Sequence, residues 1–243
     1  MNAQSSSTDP IIQHERTFRR FVLSQRLEHT IFFLCITVLL LTGLPQKYRS
    51  TNWSQEILTT PERVHDIQQI HHIAAYILII EVVYHLGNAI VLMARRKLSE
   101  DIFPSWKDVR DAWQMIGYLL FLRKEKPAFG KYNFEQKVTY WFLFFSIGLM
   151  VLTGLFLLYP VTLTRWFPGS FIPAAKLGHS SEAIVTVIFV VIWHFYHVHI
   201  ERLNLSIFTG RLSEQEIRKY HAAEFEHLTG EKANEADTGG KSE

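Results

Sequence analysis

Twelve histidines are spread over 243 residues, and eight of them fall within or at the ends of long apolar runs. His29 lies in the first run, His71, His72 and His85 in the second, and His179, His194, His197 and His199 in the fourth. The third run has none. Ionisable side chains cost free energy inside a bilayer and are found there mainly where they function. Neutral imidazole is a strong metal ligand near physiological pH, so coordination chemistry is the first expectation.

Depth sorts these histidines into two layers. The runs alternate in direction, so His72 and His179 both stand where a helix enters from the outer side. His29, His85 and His194 each lie roughly eight residues inside an inner helix end, about 12 Å at the rise of an α-helix. Thirteen residues separate His72 from His85, and fifteen separate His179 from His194. The layers are therefore roughly 20 Å apart. Zinc would need its ligands gathered in one tetrahedron. Two layers suit two b-type haems better, each iron clamped between imidazoles of facing helices.

Facing narrows the pairing. Fifteen residues leave an angular offset of about 60° and thirteen leave about 140°, so His72 and His85 do not share a face. His71 and His85, fourteen apart, do. This makes His29 the better partner for His194, with His85 and His197 as alternative ligands. His197 is in register with His179 but deeper toward the inner side. His65, His71 and His199 read as interfacial residues, and His14, His221 and His227 as surface residues.

The elements that must carry these groups follow from the apolar runs. A hydrocarbon core of about 30 Å needs about 20 mostly apolar residues per helix. Four helices are expected, over about 21–44, 71–93, 137–159 and 178–202. The fold class is an all-α membrane protein, a four-helix transmembrane bundle. Residues 1–20 form an N-terminal segment, 21–202 the transmembrane domain and 203–243 a C-terminal tail, with disorder over 1–13 and 229–243 and one short surface helix over 211–228. Trp106, Val109, Trp113, Ile116 and Leu120 recur at helical spacing between helices two and three, as in an amphipathic helix on the membrane surface. Residues 1–20 have no apolar stretch of the kind a cleaved leader carries, so the first helix is expected to double as a signal-anchor.

Lysine and arginine crowd the segments before helix one, between helices two and three, and after helix four. The other two loops hold only Lys47, Arg49, Arg63, Arg165 and Lys176. The positive-inside rule then puts both termini in the cytoplasm, in a bacterial-type inner membrane. The net charge of +2 adds little. The bilayer is an expected partner and nucleic acid is not. The single cysteine, Cys35, excludes both a C-x-x-C-H attachment site and a cysteine-ligated iron–sulfur cluster within this chain. No internal repeat stands out beyond two Thr-Gly pairs, Thr42-Gly43 and Thr153-Gly154, near the same ends of helices one and three.

Several of these segments resemble the cytochrome b subunits of respiratory formate dehydrogenases and nickel–iron hydrogenases, over about residues 16–225. The resemblance is carried by R-L-E-H (Arg26–His29), by His72 and His179, by W-H-F-Y-H (Trp193–His197) and by G-K-Y-N-F-E-Q-K (Gly130–Lys137). It implies two haem b, the outer held by His72 and His179 and the inner by His29 and His194. It also implies a quinone beside Asn133 and Gln136, and a partner redox subunit carrying iron–sulfur clusters or multihaem cytochrome c. Three features depart from the pattern. Glu135 stands where the family has glycine, His85 is additional, and the His179–His194 spacing is one residue longer. His85 and His197 are closer to a branch that partners multihaem cytochromes. The expected function is a dihaem electron conduit between a partner and the quinone pool. A non-redox transporter using intramembrane histidines, and a haem reductase without a quinone site, are the alternatives.

Overall fold

The computed structural model describes residues 16–97, 100–124, 127, 129, 131–200 and 203–231. The expected disorder at 1–13 and beyond 231, Gly130 of the family-like motif, and the basic residues Lys126 and Arg202 lie outside these residues.

The chain enters through strand β1 (Thr17–Arg19) and helix α1 (Leu23–Lys47). A short helix α2 (Asn52–Ile57) folds back on the end of α1, where the Ser54 hydroxyl donates to the Pro45 carbonyl at 2.6 Å. Helix α3 spans Pro61–Ala94. Its start is written locally: Thr60 accepts from the Arg63 amide, and Pro61 occupies the first position, where its missing N–H costs nothing. The expectation of a helix beginning near His71 is therefore corrected. The preceding amphipathic stretch is continuous with it, and His71 lies ten residues inside α3.

Helix α4 (Trp106–Leu119) exposes Trp106, Val109, Trp113 and Ile116 on one face. Its other face is tied to the bundle by an ion pair between Asp108 and Lys137 at 2.8 Å. Burial alone would raise the Asp108 carboxyl, but hydrogen bonds from Lys137 and Ser105 outweigh it and hold the group below the usual carboxylate range. Helix α5 (Phe134–Leu158) leads through α6 (Pro160–Leu163) to α7 (Phe171–Phe189). Beyond α7 the chain continues helically in wider π turns, Val190–His194 and Tyr196–Ile200.

Among the described residues, four helical segments, Leu23–Lys47, Pro61–Ala94, Phe134–Leu158 and Phe171–Val198, are long and apolar enough to cross a membrane. The fold is thus an all-α transmembrane bundle built from two hairpins. Helix α1 packs along α3 and α5 along α7, while the hairpins meet mainly through α1 and α7. Imidazoles reach across this seam.

The chain after α7 is not the single surface helix expected over 211–228. Helix α8 (Ser206–Thr209), strand β2 (Arg211–Ser213), α9 (Glu214–Tyr220) and α10 (Ala222–Thr229) form a small cap. Strand β2 pairs antiparallel with β1, Phe18 opposite Leu212, so both ends of the described chain meet at one end of the bundle. Gly210 turns the chain into β2 with φ +78°, and a Cβ there would lie 3.2 Å from the Phe21 carbonyl oxygen. Only glycine suits both demands. His221, expected on the surface, is 1% exposed inside the cap.

Candidate functional site

Two histidine pairs bridge the hairpins. At the end nearer the cap, His29 of α1 faces His194 of the π segment, with ring centroids 6.4 Å apart and planes at 41°. At the far end, His71 of α3 faces His179 of α7, again at 6.4 Å, with planes at 69°. Two imidazoles bound on opposite sides of one metal, at about 2 Å per bond, put their ring centres roughly 6.3 Å apart. Both pairs have this spacing. The residues present therefore fit a metal held between each pair.

Helix α1 serves both layers with two different faces. His29 points toward α7, and Thr42, thirteen residues on, points toward α3 and contacts the His71 ring. Thirteen residues give an offset of about 140° and an axial distance of roughly 20 Å. That distance is the one expected between the layers.

The far pair differs from the expectation in one member. His71, not His72, lies across from His179, because neighbouring residues on a helix diverge by about 100° and only one of the two can face the seam. The His71 Nδ1 lies 2.8 Å from Thr42 Oγ1, and the His179 Nδ1 lies 3.1 Å from Thr153 Oγ1 and 3.2 Å from the Met150 carbonyl.

The alternative ligands lie off the seam. His85 has its Nδ1 2.8 Å from Glu28 Oε2 and its Nε2 3.4 Å from the Tyr140 hydroxyl, so both nitrogens are engaged. Glu28, Glu81 and His85 bring their polar atoms together beside the nearer pair. His197 stacks edge-on against Trp193 at 4.7 Å, with its Nδ1 3.7 Å from Glu135. The spacing of His179 and His194 is met by the π turn. Such a turn holds about one residue more than an α turn, and His194 at its end faces His29 of α1.

Asn133 and Gln136 sit together at the start of α5, at the same end as His29 and His194. Each caps the other's backbone: the Gln136 amide donates to Asn133 Oδ1 at 2.8 Å and the Asn133 amide to Gln136 Oε1 at 3.2 Å. This is a capping box, which satisfies two otherwise open amides. The Asn133 side-chain amide also donates to Glu135 at 3.3 Å. Much of the G-K-Y-N-F-E-Q-K segment is thus accounted for by helix initiation.

The sequence pointed to His71 as interfacial and to Thr42 and Thr153 only as parts of a repeated Thr-Gly pair. The Thr60-Pro61 start of α3 was the available signal for the first. The paired Thr-Gly dipeptides were the signal for the others.

Known proteins similar to this chain are membrane cytochromes b. A family model described as prokaryotic cytochrome b561 matches residues 20–210. The cytochrome b556(fdo) subunit of formate dehydrogenase from Escherichia coli K12 is 22% identical over 211 residues, covering 84% of this chain and 90% of that protein. The cytochrome b556(Fdn) subunit of the nitrate-inducible formate dehydrogenase of the same organism is 20% identical over 193 residues, covering 79% and 83%. These similarities favour the redox expectation over a non-redox transporter.

Proposed function

Since the chain belongs to the prokaryotic cytochrome b561 family and is a membrane cytochrome b of a respiratory oxidoreductase, we propose that it is a dihaem subunit carrying electrons across the membrane between a redox partner and the quinone pool. The observation that carries the proposal is the pair of 6.4 Å histidine contacts, one in each layer. His71 and His179 would hold the outer haem b, and His29 and His194 the inner. When bound, haem b supplies one-electron transfer at a potential set by its ligands and their surroundings. The histidines fix where that happens. Between the layers α5 and α7 are joined by the stacked rings of Phe142 and Phe189 at 3.9 Å and by a buried polar contact of Ser146 with Thr186 at 2.8 Å.

Both termini are assigned to the cytoplasm of a bacterial-type inner membrane by the basic loops, with α4 lying on that surface. The relatives are by name subunits of formate dehydrogenases, which supports a partner redox subunit here, carrying iron–sulfur clusters or multihaem cytochrome c. Cys35 cannot supply such a cluster alone. The purified chain is expected to bind two haem b, measured by pyridine haemochrome against protein concentration. A value of one would overturn the dihaem reading.

Quinone chemistry is assigned to the cytoplasmic end, beside Asn133, Glu135 and Gln136. The support is the run of polar contacts from Asn133 through Glu135 to His197, one turn from His194. In this reading Asn133 and Gln136 shape the site by holding the helix start, and Glu135 exchanges protons with the quinone. Asn133→Ala would also cost about 1 kcal/mol of capping, so Glu135→Gln is the cleaner variant. Loss of a general acid–base group costs about 10²- to 10⁴-fold, and menadiol-driven haem reduction should slow within that range. An unchanged rate counts against the site.

A further inference from the structure

The Thr-Gly dipeptides are part of a duplicated arrangement around the outer histidines. In the first hairpin Thr42 and Gly43 of α1 lie against His71. In the second, Thr153 and Gly154 of α5 lie against His179. The order is the same in both: the threonine hydroxyl on the ring nitrogen and the glycine directly after it on the ring edge.

Proton accounting fixes the direction of each hydrogen bond. Thr42 Oγ1 lies 2.7 Å from the Val38 carbonyl, and Thr153 Oγ1 lies 2.7 Å from the Leu149 carbonyl. A carbonyl only accepts, so each hydroxyl gives its one proton to the backbone and keeps its oxygen free to accept. The His179 Nδ1 also meets the Met150 carbonyl at 3.2 Å. An oxygen that can only accept, a carbonyl or a hydroxyl whose proton is already given, is satisfied only by an Nδ1–H. Both rings therefore carry their proton on Nδ1, which leaves the Nε2 lone pair bare.

The glycines set how close the rings come. A Cβ on residue 43 would meet His71 Cε1 at 3.4 Å, and one on residue 154 would meet His179 Cε1 at 3.2 Å. Each ring edge lies against the glycine backbone of the neighbouring helix while its Nδ1 is held by the threonine beside it.

We infer that Thr42 and Thr153 are positioning residues for the outer iron ligands, each fixing its histidine as the Nδ1–H tautomer and making the bare Nε2 a stronger donor. This rests on the ligand assignment made above and deepens it. A hydrogen bond from a ligating histidine to an acceptor raises ligand basicity. A more basic ligand favours the ferric state, so the two threonines lower the outer potential together. The two hairpins thus deliver a matched pair of imidazoles to one iron.

The test is potentiometric titration of the full chain with Thr42→Val, Thr153→Val, the double variant, and the Thr42→Ser and Thr153→Ser controls. Valine keeps the shape and removes the acceptor, while serine restores it. Haem content is measured first. With two haems retained, the double valine variant should raise the outer potential by about tenfold in the reduction equilibrium, or about 59 mV for one electron. The inner potential should stay in place, and both serine variants should match the parent. Loss of a haem with valine that serine restores also supports the inference, as a misaligned ligand. No shift at full haem content, or equal shifts with valine and serine, would overturn it. Retention of both haems in His71→Ala would instead overturn the ligand assignment beneath it. Gly154→Ala, with the tighter contact, should perturb the outer spectrum more than Gly43→Ala.

Discussion

His71→Ala should bind one haem where the parent binds two, and His72→Ala should keep both. The two residues are adjacent, of the same type and at nearly the same depth, so composition and hydropathy do not separate them. Facing does. His71 has its ring centroid 6.4 Å from that of His179 and its Nδ1 on Thr42. His72 is turned away by about 100°. Removing His71 leaves the outer iron one protein ligand short at the seam, and electron transfer from the outer side should stop with it. His85→Ala and His197→Ala should also retain two haems, because their rings are spent on Glu28 and Tyr140 and against Trp193. Pyridine haemochrome on the four purified variants decides the matter. Haem loss in His72→Ala with none in His71→Ala would reverse the assignment.

The readable part of this molecule is the part that hydrophobic periodicity controls. Long apolar runs interrupted by Pro160 and by basic loops made the four crossings and their alternation plain. The histidine layers followed from counting residues along those runs. Rotation about each helix was harder to read, because it depends on where the helix begins. Starting helix two at His71 treated that residue as interfacial, whereas Thr60-Pro61 starts it ten residues earlier. The π turns were hidden for a similar reason. A residue count along one helix assumes a constant rise and turn, and the His179–His194 spacing violates that assumption locally. The functional reading of Asn133 and Gln136 competed with a local one, the capping box, whose polar-x-x-Gln pattern is also visible in sequence. The cap was the least legible element. Its short strands and helices have no strong periodicity, and its core is assembled from segments more than 200 residues apart, as with Phe18 and Phe225.

That cap yields the other large effect. Phe225 is fully buried, packs edge-on against Phe18 at 6.1 Å and lies under the Arg218 guanidinium at 4.1 Å. Truncating a buried phenylalanine to alanine costs about 3–5 kcal/mol, a large share of what so small a unit has available. Phe225→Ala should therefore open the cap while leaving the bundle folded. The consequence should reach the inner site through the start of α1. Strand β1 is held by β2, the Gly210 carbonyl accepts the Arg20 and Phe21 amides at 2.8 and 3.2 Å, and Arg26 donates to the Phe208 carbonyl. His29 lies one turn beyond Arg26 on the same helix. With the cap open, residues 17–22 and 203–231 should lose hydrogen-exchange protection together. The inner haem should then show a shifted potential and a broadened α-band, while the outer stays as it was. Phe225→Leu, which keeps most of the volume, should fall between the parent and the alanine variant. Unchanged exchange in Phe225→Ala, or equal changes at both haems, would show that the cap does not brace His29.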